Sequence, residues 1–252
     1  MSDFEFYQPV YSPDGKYLGS SDHTWEAIRW RCDAWWDVSI PIDTTGMTYV
    51  DVGSAEGLYP LRFAQRGGKG LGLNPDSPYQ CQAYCKLRDL YSEPRQFSEK
   101  LRHLYPGVKF EVLNGGFNNG AIEPVLLPSD YVSCMNCLEY VEQPRKAVES
   151  LFAIAFKQVI IATDIWLGPP EELSDGRCAP LKQKFVADEL VSWFPWPART
   201  IVLDYHHQGV SHPQGFFIAR PNGDFSDLPE SVDLYDPNGI FPTQKRYEST
   251  KV

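Results

Sequence analysis

The fold is decided by the stretch TYVDVGSAEG at residues 48–57. Its first five residues are mostly β-branched or aromatic, which is typical of a strand, and Gly53 and Gly57 then bracket a turn. The next segment, LYPLRFAQ at residues 58–65, has apolar residues at helical spacing and Pro60 in its first turn. A strand, a glycine turn and a helix in this order predict a loop that a ligand can approach closely, with free N–H groups at the helix start.

Strand-like and helix-like segments continue to alternate along the chain. Helical patterns at 78–91, 143–156 and 181–194 are interleaved with strand-like runs at 70–73, 108–113, 130–134 and 158–163. Two more strand-like runs, 200–205 and 215–219, follow with only a loop between them. Strands separated by helices predict a parallel sheet covered on both faces, and the last pair predicts an antiparallel hairpin at one edge. We therefore expect a Rossmann-like α/β fold with a mostly parallel seven-stranded sheet, a C-terminal antiparallel hairpin and helices on both faces.

Composition narrows the class of protein. The 252 residues carry 23 basic and 33 acidic side chains, and a net charge of −10 disfavours broad nucleic-acid binding. No apolar run is long enough to span a membrane, and the N-terminus lacks a signal-peptide pattern, so we expect a soluble, cytoplasmic protein. Six cysteines in a chain of this length do not indicate a disulfide scaffold. The pairs Cys81/Cys85 and Cys134/Cys137 are interpreted as buried thiols, and no metal site is predicted.

Two polar side chains follow the first two predicted strands. Asp51 lies near the carboxyl end of the first strand, where its carboxylate can accept hydrogen bonds from an ammonium group or from loop amides. Asn74 ends the second strand, 23 positions later, where nucleotide-binding folds of this type place an acid that binds the ribose hydroxyls. The Asn74 amide oxygen can still accept a hydroxyl hydrogen, but without a full charge.

The run at 50–57, with 70–74 and 130–138, resembles motifs of class I S-adenosylmethionine-dependent methyltransferases. The strings DVGSAEGLY (51–59) and CMNCLEY (134–140) look most like the branch that includes tRNA wobble-uridine carboxymethyltransferase. So do NP at 74–75, CQ at 81–82 and KLR at 86–88, and the resemblance spans roughly residues 25–220. It implies a methyltransferase fold and a transferase that uses S-adenosylmethionine and releases S-adenosylhomocysteine.

The same resemblance implies positions for the cofactor. The loop would hold its methionine part, Asn74 would face the ribose, and Cys134 would lie near the sulfonium. The implied cofactor-binding residues are Asp51, Gly53, Ser54, Ala55, Gly57, Asn74, Gly116, Phe117 and Cys134. The sequence departs from the family pattern at Ala55 and Asn74, and also at Gly115 or Gly116, where an acid is usual near adenine.

A general base, where the acceptor needs one, should lie at the carboxyl end of a later strand. Asp164 and Trp166 follow the fifth predicted strand, and His206, His207 and His212 fall in the predicted connection of the terminal hairpin. Histidine titrates in the useful range, so His206 and Asp164 are the predicted catalytic residues. A polar loop that merely contains imidazoles remains an open alternative.

Three parts of the chain are expected. Residues 1–40 form a lead-in and a helix covering the site, 41–220 the S-adenosylmethionine-binding methyltransferase domain, and 221–252 a tail. Tryptophans at 25, 30, 35 and 36 are either an aromatic lid or core packing, and core packing is favoured.

The leading hypothesis is methyl transfer to an oxygen or nitrogen of a small-molecule acceptor such as a sugar, a metabolite or a natural product. A tRNA-modifying alkyltransferase and a catalytically inactive, methyltransferase-like binding subunit remain as alternatives. A nicotinamide dehydrogenase is disfavoured because Gly53 and Gly57 do not form the G-x-G-x-x-G pattern.

Overall fold

The computed structural model describes residues 34–74, 94–166, 183–207 and 210–232, together with Pro13 in a turn. Its centre is a sheet of eight strands with seven in the order β3-β2-β1-β6-β7-β10-β9, and the short strand β8 pairs with β7. These strands are β1 (Thr48–Val52), β2 (Lys69–Asn74), β3 (Phe110–Asn114), β6 (Ser129–Met135), β7 (Ala155–Trp166), β8 (Phe185–Val186), β9 (Ala198–His207) and β10 (Val210–Ala219). Two further strands, β4 (Gly116–Asn118) and β5 (Ala121–Glu123), form a separate hairpin.

Strands β3, β2, β1, β6 and β7 run parallel, and β10 and β9 continue the sheet as an antiparallel pair. This confirms the Rossmann-like α/β fold with its mostly parallel sheet and C-terminal hairpin. Strand β1 lies between β2 and β6 near the middle of the sheet. Strands β2 and β3 are added on one side of β1, and β6 and β7 on the other, so the strand order reverses at β1. In open α/β sheets, ligands bind at the carboxyl ends of strands beside such a switch point.

The helices cover both faces of the sheet. They are α1 (residues 34–39), α2 (Leu58–Gln65), α3 (Pro94–Leu104), α4 (Pro144–Ala153) and α5 (Ala187–Ser192). Helices α1 and α2 cover one face, where Trp36 and Phe63 pack with Tyr49 and Phe216. Helices α4 and α5 cover the other face and bury an aliphatic cluster, while α3 packs against α2 and β3.

The alternation of side chains along β1 sorts its residues between these two faces. Tyr49 belongs to the aromatic cluster beneath α1 and α2, whereas Val50 and Val52 belong to the aliphatic cluster on the opposite side. All five residues of β1 except Thr48 are buried. Asp51 points to the same side of the sheet as Tyr49. Its carboxylate therefore lies near the carboxyl end of β1, on the face that α1 and α2 cover.

Several predicted boundaries were wrong. The helix predicted at 143–156 ends at Ala153, because Ala155 pairs with Ser129 and begins β7. The helix predicted at 181–194 is reduced to α5, because Phe185 and Val186 pair with the end of β7. Helix α3 and the β4–β5 hairpin were not predicted, and the helix predicted at 78–91 lies outside the described residues.

The aromatic residues of α1 are core. Trp35 and Trp36 are buried, which agrees with the favoured interpretation of the tryptophans, and Trp25 and Trp30 lie outside the described residues. The segment 221–232, assigned by sequence to a tail, contributes Leu228 and Val232 to the same cluster. None of the described helices is both long and apolar enough to cross a membrane.

Candidate functional site

The loop after β1 is held by the end of β2. The backbone N–H groups of Gly53 and Ser54 both donate to the Leu73 carbonyl, at 2.8 and 3.0 Å. The next N–H group, that of Ala55, donates to the Asn74 side-chain oxygen at 3.2 Å. Asn74 therefore has a structural role that its position in the sequence did not reveal. Its side chain holds the loop after β1, in addition to the ligand contact that the sequence predicts for it.

Positive backbone torsions shape this loop. Gly53, Ala55 and Gly57 have φ angles of 82°, 50° and 91°. A Cβ atom on Gly53 would lie 2.5 Å from the Cys137 sulfur, and one on Gly57 would lie 2.6 Å from a Val112 methyl group. Glycine is thus required twice, for torsion and for space. Ala55 adopts the left-handed region without glycine, so its departure from the family pattern leaves the turn intact.

Asp51 is fully buried beneath this loop. One carboxylate oxygen, Oδ1, accepts a hydrogen bond of 2.5 Å from the Ser133 hydroxyl on β6. The other oxygen, Oδ2, has no hydrogen-bond partner among the described residues. Burial raises the pKa of Asp51 from 3.8 to about 7, and the Ser133 hydrogen bond partly opposes that rise. The carboxyl group therefore has a buried oxygen available to a donor.

The Ser54 hydroxyl is a second buried oxygen without a partner in the described part of the chain. It lies against β2, since a Cβ atom on Gly72 would be 2.3 Å from it. Leaving a buried polar atom unsatisfied costs roughly 1–3 kcal/mol, and an ordered water or a polar ligand would remove that cost at each of these two atoms. Each of the two oxygens can accept a hydrogen bond from an ammonium or hydroxyl group.

Cys134 is placed differently from the expectation. It is fully buried in the aliphatic cluster, with its sulfur 2.8 Å from that of Cys137. Cys137 is only partly exposed and donates to the Val52 carbonyl at 3.1 Å. The hydrogen bond with Cys134, followed by burial, raises the pKa of the Cys137 thiol well above its usual value. These two thiols pack beside the start of the loop after β1. Cys137 contacts Val52 and Gly53 there, and the sequence analysis did not predict this contact.

Gly116 and Phe117 lie on the β4–β5 hairpin, which begins directly after β3. Phe117 is half-buried against the aliphatic cluster, and Gly116 pairs with Glu123. Hydrogen bonds join Asn74 to Ala55, and the Gly115 N–H group also donates to the Asn74 carbonyl at 3.2 Å. Asn74 thus connects the loop with the chain segment that leads into the hairpin.

The predicted catalytic residues lie on the strands beyond β6, on the side of β1 opposite β2 and β3. Asp164 on β7 is half-buried and is the register partner of Gln214 on β10. Gln214 in turn donates to the Asn136 side-chain oxygen at 2.6 Å, and Asn136 has a φ angle of 57° just after β6. The carboxyl ends of β6 and β7 therefore carry a polar cluster that the sequence had not indicated, apart from Asp164.

The histidines do not lie in a loop. His206 and His207 end β9, and His212 lies within β10, because the ladder between these strands continues to the pair His207 and Val210. Strand β9 is four positions from β1 in the sheet, or about 19 Å at the usual strand spacing. Asp164, two strands from β1, is the nearer candidate. Within the described ranges, no group of three or more His, Cys, Asp or Glu side chains forms a metal-binding cluster.

No family model and no curated protein matches this sequence. Solved structures, however, share its fold. The N-terminal domain of EvdMO1 with SAH bound has a TM-score of 0.55 at 14% identity, covering 86% of this chain and 91% of that one. Magnesium protoporphyrin IX methyltransferase from Synechocystis PCC 6803 with bound SAH gives 0.53 at 11% identity, covering 80% and 89%. The [4+2]-cyclase SpnF gives 0.54 at 10% identity, covering 86% and 89%.

Proposed function

We propose that this chain binds S-adenosylmethionine at the carboxyl end of β1 and transfers its methyl group to an oxygen or nitrogen of a small-molecule acceptor. The observation that carries the proposal is the pair of buried oxygens, Asp51 Oδ2 and Ser54 Oγ, which lie beside the loop at 53–57 and have no hydrogen-bond partner in the described part of the chain. The fold is shared with methyltransferase structures that contain SAH. This agreement between local chemistry and fold supports the choice of methyl donor.

Each part of the site has a proposed role toward the donor. The Asp51 carboxylate accepts from its ammonium group, the loop from Gly53 to Gly57 follows its methionine part, and Asn74 accepts from a ribose hydroxyl. Gly116 and Phe117 flank the adenine from the β4–β5 hairpin. Cys134 acts indirectly, because its sulfur contacts Cys137 rather than the space beside the loop.

When bound, the donor supplies an electrophilic methyl group on a sulfonium. The chain must then hold the acceptor atom in line with that methyl group and exclude water, and positioning supplies most of the rate. Asp164, half-buried on β7 and two strands from β1, is proposed to take the proton of the acceptor. His206 remains a second candidate for a longer acceptor that reaches the sheet edge.

A small acceptor is favoured over a polyanion by the net charge of −10. Among the structures with this fold, one is a magnesium protoporphyrin IX methyltransferase, and EvdMO1 was crystallised in the presence of SAH and D-fucose. We further propose that residues 41–220 form the donor-binding domain and that 1–40 cover the site. The free thiols of Cys134 and Cys137 are consistent with a reducing compartment such as the cytoplasm.

One observation favours a second candidate. SpnF has this fold and is a [4+2]-cyclase, so the fold can serve chemistry other than methyl transfer. A protein that binds the donor or its product without transferring a methyl group would use the same Asp51 and Ser54 oxygens. The tRNA-modifying alternative rests only on the resemblance of the motifs.

Isothermal titration with S-adenosylhomocysteine tests the proposed site. We expect binding by the unmodified protein, and loss of most of the affinity in Asn74→Ala, which removes the oxygen that holds the Ala55 N–H group. Asn222→Ala, at an exposed turn, is the matched control and should bind normally. Absence of binding by the unmodified protein would refute the proposal.

Turnover separates the candidates that share the site. Incubation with S-adenosylmethionine and a panel of hydroxyl and amine acceptors should release S-adenosylhomocysteine, and Asp164→Asn should lower that rate. Binding without turnover across the panel would favour the cyclase-like or binding-subunit alternative. A steep decrease of tRNA affinity with salt would favour the tRNA-modifying one.

A further inference from the structure

Three buried hydrogen bonds link α1 to the Asp51 carboxylate. The Trp36 indole N–H donates to the Tyr49 hydroxyl at 3.0 Å, the Tyr49 and Ser133 hydroxyl oxygens are 2.5 Å apart, and Ser133 donates to Asp51 Oδ1 at 2.5 Å. All four side chains are buried. None was predicted as part of the site except Asp51.

We propose that Tyr49 and Ser133 are positioning residues for donor binding, which hold the Asp51 carboxylate with its Oδ2 atom presented to the ammonium group of the donor. This role rests on the proposed function, since it concerns the same carboxylate. Tyr49 and Ser133 do not touch the ligand and act only through Asp51.

The groups at the two ends of this row of hydrogen bonds determine which atom donates in each of them. An indole N–H can only donate, so the Tyr49 oxygen accepts from Trp36 and its own hydrogen is directed to Ser133. Ser133 must then direct its hydrogen to Asp51, which in its ionised form can only accept. Every hydrogen in the chain therefore points toward Asp51 Oδ1, and Oδ2 is left without a partner among the described residues. Such an arrangement fixes one oxygen and reserves the other for a ligand.

Trp36, at the α1 end of this row of hydrogen bonds, is fixed by contacts with α2. The guanidinium groups of Arg62 and Arg66 lie over the Trp36 ring, 5.3 and 5.0 Å from its centroid, and both pair with Asp37 of the same helix. Arg66 also donates to the Ile40 carbonyl at 2.9 Å. Helix α1 is thus attached to α2, and Trp36 cannot turn away from Tyr49 without breaking these contacts.

The ionisable groups facing Asp51 are few in the described residues. Tyr49 on β1 and Cys137 after β6 each experience its charge, and Arg62 on α2 acts on Tyr49. Burial raises the pKa of Tyr49 well above its usual value, and the hydrogen bond with Cys134, followed by burial, does the same for the Cys137 thiol, so both groups remain neutral near pH 7. The hydrogen bond from Ser133 is therefore the contact that favours the ionised form of Asp51.

The test measures the dissociation constant for S-adenosylhomocysteine by titration calorimetry from pH 5.5 to 8.5. In the unmodified protein, affinity should rise with pH until Asp51 is ionised and then level off. Ser133→Ala should weaken binding about tenfold, as expected for one hydrogen bond to a charged group, and should move the inflection upward by about one pH unit. Tyr49→Phe should shift the inflection in the same direction by less.

Tyr131→Phe is the matched control, because it removes a hydroxyl from the same aromatic cluster outside the hydrogen-bonded chain. Its inflection should not move, although its stability can fall. An unmoved inflection in both Ser133→Ala and Tyr49→Phe, or an equal shift in Tyr131→Phe, would overturn the positioning role.

The pH dependence of thermal unfolding without ligand provides a second measurement. The Asp51 titration is the part of this pH dependence that Asp51→Asn removes, and Ser133→Ala should move that part upward too. Failure of the unmodified protein to bind S-adenosylhomocysteine would overturn the proposed function and this role together. Binding by the unmodified protein with unshifted variants would overturn the positioning role alone.

Discussion

Replacing Asp51 by Asn should make the protein more resistant to unfolding at alkaline pH while abolishing donor binding. Burial raises the pKa of Asp51 in the folded protein to about 7, above its value of 3.8 when exposed. A group whose pKa is raised by folding contributes stability that is complete below the lower value and is lost as pH rises through the higher one. The ionised Asp51 carboxylate therefore opposes folding at pH 8.

The magnitude follows from these two pKa values. Between pH 5 and pH 8, the titration of Asp51 lowers the free energy of unfolding by about 3 kcal/mol. Asn at this position cannot ionise, and its amide oxygen can still accept from Ser133. Any cost of its unpaired NH₂ group is independent of pH. The difference between variant and unmodified protein should therefore change by about 3 kcal/mol, or roughly 5–10 °C in the unfolding midpoint, over this range.

Thermal unfolding from pH 5 to pH 8, with and without S-adenosylhomocysteine, provides the assay. At about 100 times its dissociation constant, the ligand should stabilise the unmodified protein by about 2.7 kcal/mol and leave Asp51→Asn unchanged. Glu111→Gln removes an exposed carboxylate from β3 and should follow the unmodified protein in both respects. Parallel pH profiles for Asp51→Asn and the unmodified protein, or equal stabilisation by ligand, would refute the reasoning.

Three further predictions concern the loop and its supports. Gly53→Ala should destabilise the protein by roughly 2–4 kcal/mol in urea unfolding, because its Cβ atom would lie 2.5 Å from the Cys137 sulfur at a φ of 82°. Gly46→Ala, at a φ of 79° with open space around it, should cost only about 1 kcal/mol; equal losses would mean that crowding is unimportant. Asn74→Asp should keep the hydrogen bond from Ala55 and, by adding charge opposite the ribose, tighten S-adenosylhomocysteine binding about tenfold in calorimetry; weaker binding would place the ribose elsewhere. Cys137, whose raised pKa keeps the thiol protonated, should react with iodoacetamide at pH 8 at least about tenfold more slowly than in urea, and equal rates would contradict its burial against Cys134.

The parts of the site that sequence analysis found are those encoded by neighbouring residues. Gly53 and Gly57 indicate a turn because glycine adopts backbone torsions that other residues rarely do. Helix α2 was predicted with its observed bounds, because the spacing of its apolar residues is a local property. The parts that it missed depend on partners far along the chain. Ser133 is 82 residues from Asp51, and only the pairing of β1 with β6 brings them together.

Local patterns also misplaced some residues. A polar stretch with three histidines looks like a loop, but His206 and His212 lie in β9 and β10 because backbone pairing between these strands extends further than their apolar residues. The family resemblance, and not a local pattern, implied a position for Cys134 near the sulfonium of the donor. Its position on β6 instead directs it to the aliphatic face, opposite Ser133, since successive side chains of a strand point to opposite sides.

By itself, the sequence determined the order of the seven strands on the main path of the sheet, helix α2, the glycine loop and the carboxylate beneath it, because periodicity and turn chemistry act over a few residues. Only the tertiary structure decided which oxygen of Asp51 accepts a hydrogen bond and which has no partner among the residues that the structure describes. That outcome depends on Ser133, Tyr49 and Trp36 meeting in one buried chain, and burial is a property of the packed sheet and helices. A carboxyl group acquires a pKa near 7 only when the surrounding fold removes water from it.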